Sequence, residues 1–200
     1  MHLSPFPHCT PATAVPYGRD MASTPSIPAT TSVVVMGVSG SGKTSVAVEL
    51  ARQLGWDYVE GDDLHPAANV AKMAAGHPLD DEDRWPWLRR IAEVIGEHEA
   101  AGTGLIVTSS ALKRAYRDLL RAGHPSVWFA HVEAPEAVIA DRLQKRIGHY
   151  MPASLLGSQL ASLEPLTEEE PGRVVSGEGS VEETTTELLA DLRADRGSAT

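Results

Sequence analysis

The sequence predicts an α/β protein built on a parallel sheet, and three observations carry that expectation. Short apolar runs rich in β-branched residues, such as Val33-Val34-Val35-Met36 and Leu105-Ile106-Val107, read as strands buried on both faces. Between them lie stretches with apolar residues at helical spacing. The first run leads straight into Gly37-Val38-Ser39-Gly40-Ser41-Gly42-Lys43-Thr44, which fits the Gly-x-x-x-x-Gly-Lys-Thr pattern of a phosphate-binding loop. Glycines at 37, 40 and 42 let the backbone bend around an anion with no Cβ in the way. The N–H groups then point inward, at the positive end of the helix that follows. In such a loop Lys43 reaches the β- and γ-phosphates of a nucleotide, and the Thr44 hydroxyl ligates Mg²⁺.

Two hundred residues suffice for one domain with a sizeable core. The formal net charge of −10 argues against DNA or RNA as a partner, since a phosphate backbone needs a basic face. Cations nevertheless cluster at 113–121 and 142–146, as a local anionic ligand would require. The single cysteine, Cys9, offers no internal disulfide and fits a reducing, cytoplasmic compartment. No apolar run is long enough to span a bilayer, so no membrane partner is expected. The N-terminus has no apolar core behind a basic flank, so no secretory signal is expected either.

Residues 1–30 are rich in Pro, Ser, Thr and Ala without period, and are expected to be a disordered extension. Nothing before Met21 looks structural, so translation starting there is compatible with the fold. After the loop, Val46, Ala47, Leu50, Ala51 and Leu54 form one helical face that Gly55 ends. Residues 56–60 read as a short strand. It delivers Gly61-Asp62-Asp63-Leu64-His65-Pro66 to its C-terminal end, where ligands gather in open α/β sheets. Two carboxylates and a histidine there either bind metal and substrate hydroxyls or cap the next helix, at 67–75. Asp80-Asp81-Glu82-Asp83 precedes a helix with Pro86 in its first turn and an apolar face of Leu88, Ile91, Ala92 and Ile95. Those acids compensate the helix dipole, whereas the Arg84 guanidinium suits carboxylate recognition.

Residues 105–109 are the next buried strand. It lacks the terminal Asp of the usual second nucleotide motif, which leaves Asp62 as the best candidate for the metal-side carboxylate. Residues 110–121 read as a helix with Lys113 in its first turn, where the dipole disfavours a cation unless an anion is held nearby. Residues 126–133 are a fourth strand, with His131 as a packed core residue. From Pro135 a helix runs through Arg142 and Arg146 to a Gly148 hinge and Pro152. Arginines on such a piece either form a lid over a nucleotide or merely match the dipole of a helix end. An acidic loop at 164–171, a short strand at 173–175 and a closing helix at 181–193 complete the chain.

With these pieces placed, the chain resembles the gluconate kinases of the small P-loop type over about residues 31–195. The resemblance is carried by residues 36–43, by Gly-Asp-Asp-Leu-His-Pro at 61–66 and by Lys-Met-Ala-Ala-Gly-His-Pro-Leu-Asp-Asp-Glu-Asp-Arg-Trp-Pro-Trp-Leu at 72–88. Ser-Ser-Ala-Leu-Lys-Arg-Ala-Tyr-Arg-Asp-Leu-Leu-Arg at 109–121 and Gly-His-Tyr-Met at 148–151 add to it. Glu60 and Tyr150 stand where the family often has Asp and Phe. The resemblance implies a P-loop kinase fold: three α/β/α layers, a five-stranded parallel sheet in the order 2-3-1-4-5 and a helical lid at about 142–155. It implies transfer of the ATP γ-phosphate to the 6-hydroxyl of D-gluconate, with Mg²⁺, in a homodimer. On that reading Gly37 to Thr44 hold ATP, and Lys43, Asp62, Arg142 and Arg146 are catalytic. Thr44 and Asp62 would serve the metal, and Asp62, His65, Arg84, Lys113 and Arg117 the substrate. A kinase of another small hydroxy acid, shikimate for instance, and a non-catalytic ATP-binding module are the competing readings. A GTPase switch is not, because no Asn-Lys-x-Asp motif is present.

Overall fold

A strand buried on both faces needs a neighbour on each edge, and β1 (Ser32–Met36) has them. In the computed structural model, which describes residues 26–145 and 156–197, β1 lies at the centre of the sheet. Its companions are β2 (Asp57–Val59), β3 (Leu105–Ser109), β4 (Val127–Glu133) and β5 (Gly172–Ser176). The order is β2-β3-β1-β4-β5 and every pair is parallel, as the resemblance implied. Met36 pairs with Ser109 on one side and His131 on the other, so β1 and β3 end level and β4 runs on only to Glu133. The loops leaving them therefore meet at one edge.

Seven helices are described: α1 (Lys43–Leu54), α2 (Ala67–Ala74), α3 (Asp81–Ala101), α4 (Arg114–Arg121), α5 (Glu136–Lys145), α6 (Leu156–Ser162) and α7 (Val181–Arg196). The period-2 alternation of β1 divides the core between two faces. Val33 and Val35 pack with Val46, Ala47 and Leu50 of α1 and Leu188, Leu189 and Leu192 of α7. Val34 and Met36 pack with Trp87, Leu88, Ile91 and Ile95 of α3 and Tyr116 and Leu120 of α4. The result is the three-layer sandwich, and cutting a buried Leu50 or Leu88 to Ala would cost about 2–5 kcal/mol. A third, smaller cluster joins Val38 of the phosphate loop, Leu112, Ile139 of α5 and Leu156 of α6.

The predicted helix over 110–121 is shorter than expected. Residues 110–113 leave the end of β3 in a non-helical path, with Ala111 at φ 38°, and α4 starts only at Arg114. The expected extension at 1–30 is described only from residue 26, and residues 146–155 of the expected lid lie outside the described residues. Among the described residues, no helix is long and apolar enough to cross a membrane.

Candidate active site

The loop after β1 is shaped by its glycines. Gly37, Gly40 and Gly42 have φ values of 134°, 84° and 109°, which side chains rarely tolerate. A Cβ on Gly37 would stand 2.6 Å from the Val132 carbonyl oxygen. Gly42 is the N-cap of α1, whose own first turn carries no acidic residue. Lys43 Nζ donates to the Val38 carbonyl at 3.0 Å, folding the cation over the loop. A cleft of about 460 Å³ opens above, lined by residues 39–46 and by Glu60, Asp62 and Arg142. Gly177 and Gly179, from the turn between β5 and α7, and Val181 and Thr184, from the start of α7, form its far wall; no sequence motif marks them.

Glu60 presents a carboxylate to Thr44. Thr44 Oγ1 donates to Glu60 Oε2 at 3.0 Å, Tyr58 OH donates to the same oxygen at 2.7 Å, and Thr108 Oγ1 donates to Oε1. Burial would raise the Glu60 pKa, but the hydrogen bonds from Thr108, Tyr58 and Thr44 and the nearby Lys43 charge outweigh it and hold the group below the usual carboxylate range. No sequence motif gives Glu60 this place. It arrives at the end of β2 because β3 ends in Thr108 and Ser109, and Thr108 anchors it. Asp62 lines the same cleft from the 3₁₀ turn Gly61–Leu64 and is exposed there.

That turn is pinned tightly. Gly61 N donates to Thr108 Oγ1 at 2.9 Å, and the Gly61 carbonyl accepts from Trp87 Nε1 at 2.7 Å. A Cβ at 61 would lie 1.9 Å from the Thr108 carbonyl oxygen, so only glycine fits. His65 stacks on the fully buried Trp87, with ring centroids 4.2 Å apart and planes at 15°. Asn69 Nδ2 donates to the Asp83 carbonyl at 2.7 Å and lies 3.3 Å from His65 Nδ1. An amide nitrogen can only donate, so Nδ1 accepts and the proton of the neutral ring sits on Nε2. Burial, then the Arg84 charge, pushes the His65 pKa down to about 4.

Beyond the turn stands a second set of cations. Arg84 Nη1 reaches Ser110 Oγ at 3.4 Å, and its guanidinium lies 5.9 Å from the centre of the Tyr116 ring. Lys113 Nζ lies 5.6 Å from the same ring and is held by Asp81 at 2.6 and 2.9 Å. Tyr116 OH donates to Asp81 Oδ1 at 2.7 Å. The anion that the position of Lys113 required is therefore the Asp81 carboxylate. Asp80 and Asp83 form the capping box of α3 and also take Lys72, so the acidic run does serve the helix start.

The expected arginines separate. Arg142 on α5 donates to the Ser41 carbonyl at 3.1 Å and the Gly177 carbonyl at 2.6 Å, gripping the phosphate loop and the far wall together. Arg146 lies outside the described residues. Arg117, assigned by resemblance to the substrate, does not line the cleft. It is fully buried, pairs with Glu170 through Nε at 2.6 Å and Nη2 at 3.0 Å, and donates to the carbonyls of Ala111, Leu112, Glu164 and Pro165. Its guanidinium welds the 164–171 loop to the start of α4. His131 is buried as expected, and burial lowers its pKa.

Comparison with known proteins agrees with this fold. A family model described as an AAA domain matches residues 33–166, from β1 to beyond α6. The gluconokinase of Gluconobacter oxydans is 50% identical over 163 residues, which cover 82% of this chain and 92% of the relative. The crystal structure of a sugar kinase from Janibacter sp. HTCC2649 superposes with a TM-score of 0.79 at 49% identity, covering 85% of this chain and 98% of that one. A gluconokinase from Sinorhizobium meliloti 1021 gives a TM-score of 0.76 at 43% identity, over 84% of this chain and 95% of that one.

Proposed function

We propose that this chain, which belongs to the gluconokinase family of small P-loop sugar kinases, transfers the γ-phosphoryl group of ATP to the 6-hydroxyl of D-gluconate, giving 6-phospho-D-gluconate and ADP. The observation that carries this reading is the shared cleft. A glycine-shaped loop lines one side of it, and Glu60 and Asp62 line the other. Phosphoryl transfer needs alignment and charge stabilisation more than covalent chemistry, and such a cleft can supply both.

The loop N–H groups and the positive end of α1 cup the phosphates, and Lys43 turns from the Val38 carbonyl to the β- and γ-oxygens. Arg142 braces the loop against the far wall and adds positive charge at the cleft. Asp62 orients the attacking hydroxyl and takes its proton. His65, with its proton on Nε2, Arg84 and Lys113 receive the hydroxyls and carboxylate of the sugar acid. Arg146, on the neighbouring segment, is assigned by resemblance a second cationic contact with the γ-phosphate.

The donor set fits a magnesium ion. Thr44 offers a hydroxyl oxygen with its own proton committed to Glu60, and Glu60 and Asp62 offer carboxylates. Among the described residues no group of three or more His, Cys, Asp or Glu could hold a metal alone. Mg²⁺ characteristically takes one or two protein oxygens and completes its shell with phosphates and water. When bound, it neutralises charge on the phosphates and orients them.

The test is an incubation with ATP, Mg²⁺ and a panel of acceptors, scored by ADP release. D-gluconate should lead the panel. Preference for another hydroxy acid would favour the alternative acceptor, and ATP binding without turnover would favour a non-catalytic module. The same reading places the enzyme in the cytoplasm as a homodimer, the latter testable by sedimentation.

A further inference from the structure

Gln159 is marked by no motif, yet it touches the phosphate loop. It lies on α6 with its side chain 6% exposed, and its Oε1 accepts from Ser39 N at 2.7 Å, across 120 residues of chain. Ser39 lines the nucleotide cleft. The helix reaches the loop through its own small core, in which Leu156 packs with Val38 and Leu112. Those two residues directly precede Ser39 and Lys113. Two residues beyond α6, Glu164 N donates to the Leu112 carbonyl at 2.8 Å, and Glu164 Oε2 accepts from Arg114 N at 2.5 Å. One segment thus touches the loop that holds the donor and the turn that carries Lys113.

The chemistry of the contact is specific. A buried amide oxygen is costly unless it accepts a hydrogen bond, and here it accepts one from a loop whose N–H groups otherwise point at an anion. A neutral acceptor fixes the peptide plane without placing negative charge beside a polyphosphate. A carboxylate of the same shape would add that charge, and an apolar side chain would leave the plane unheld. We propose that Gln159 is a positioning residue for phosphoryl transfer: it sets the Val38–Ser39 peptide so that the remaining loop N–H groups converge on the nucleotide. The inference rests on the nucleotide reading of the cleft, but not on the identity of the acceptor.

Gln159→Leu and Gln159→Glu, made in the full chain, test it. Melting temperature, ATP–Mg²⁺ binding by calorimetry and gluconate-dependent turnover would be followed from about pH 6 to 8, above the ordinary Glu pKa of about 4.3. Gln159→Leu should melt close to the parent, bind ATP more weakly and lose turnover on the order of 10²-fold, as misplacement of a reacting group does. Gln159→Glu keeps an acceptor oxygen but adds charge beside the polyphosphate, and should bind ATP less well than the parent across this range. A merely space-filling role would show as a lowered melting temperature, with ATP binding and turnover close to the parent below it. The proposal is overturned if Gln159→Leu binds and turns over within a factor of about two of the parent, or if its losses are matched by a fall in melting temperature. Because the calorimetry contains no gluconate, a chain that binds ATP but leaves gluconate untouched would sink the activity proposed above and leave this one to be judged on binding.

Discussion

Two helices of this chain begin in opposite ways. α1 starts at Gly42 with no acid in its first turn and no side-chain cap. α3 starts at Asp80 with a full capping box and Asp81, Glu82 and Asp83 behind it. The positive end of α1 is left for a ligand, whereas that of α3 is answered by the protein itself. The regions around them follow suit. The donor side is an anion cup made chiefly of backbone and one lysine. On the acceptor side the Lys113 charge is already met by Asp81, and Arg84 makes only long hydrogen bonds of 3.4 Å. The cup therefore suits a polyanion, whereas on the other side the pairing of Lys113 with Asp81 leaves less positive charge for a ligand.

The comparison breaks most dramatically at Lys43. Lys43→Ala should lower turnover by about 10³–10⁵, the worth of a cationic contact with the moving phosphoryl group, with the melting temperature nearly unchanged. Near-normal turnover would remove Lys43 from the mechanism. Next comes Arg117, where the expected damage is to folding. Arg117→Met leaves Glu170 buried without its partner and should cost about 3–5 kcal/mol in denaturant unfolding. Adding Glu170→Leu should recover much of that loss, and no recovery would mean the pair is not the source of the stability. On the acceptor wall, Arg84→Gln should raise the gluconate KM by about 10- to 100-fold, the worth of a charge-assisted hydrogen bond, while ATP binding stays put. An equal loss in ATP binding would erase the distinction between the two regions.

The smallest effect concerns pH. His65 titrates near 4 in the fold against an ordinary value of 6.5, so between these limits the unfolded chain binds the extra proton. Its contribution to stability is complete above 6.5 and declines as pH falls toward 4. Melting curves of the parent should show that decline, and His65→Gln should flatten part of it. His131, also depressed by burial, would retain the rest. Glu60 acts in a separate, more acidic window, below its ordinary 4.5, where its lowered pKa lets stability drain away as it protonates.

How much of this was readable in the chain depended on distance. The cup was legible because its chemistry is local: eight consecutive residues bend, donate and begin a helix. The strand order followed from the resemblance, and the two faces of the core from alternation in β1. Long-range pairs were not legible. Thr108 and Glu60 are 48 residues apart, and only the parallel pairing of β2 with β3 brings them together. Arg117 was assigned by resemblance to the substrate, and its partner Glu170 sits 53 residues on, in a loop with no period. Gln159 carried no signal at all, since a single amide on a short helix looks like surface. Lys113 was half legible: its unfavourable place called for an anion, and the fold supplies one 32 residues upstream.

The central claim is that the cup and the acidic turn bring the terminal phosphorus of ATP against the distal hydroxyl of a sugar acid. The most direct measurement is phosphorus NMR of the product formed from ATP, Mg²⁺ and D-gluconate by the purified chain. The account predicts a single phosphomonoester at the 6-position, formed one for one with ADP. No gluconate-dependent product, or phosphate carried on another hydroxyl, would contradict it.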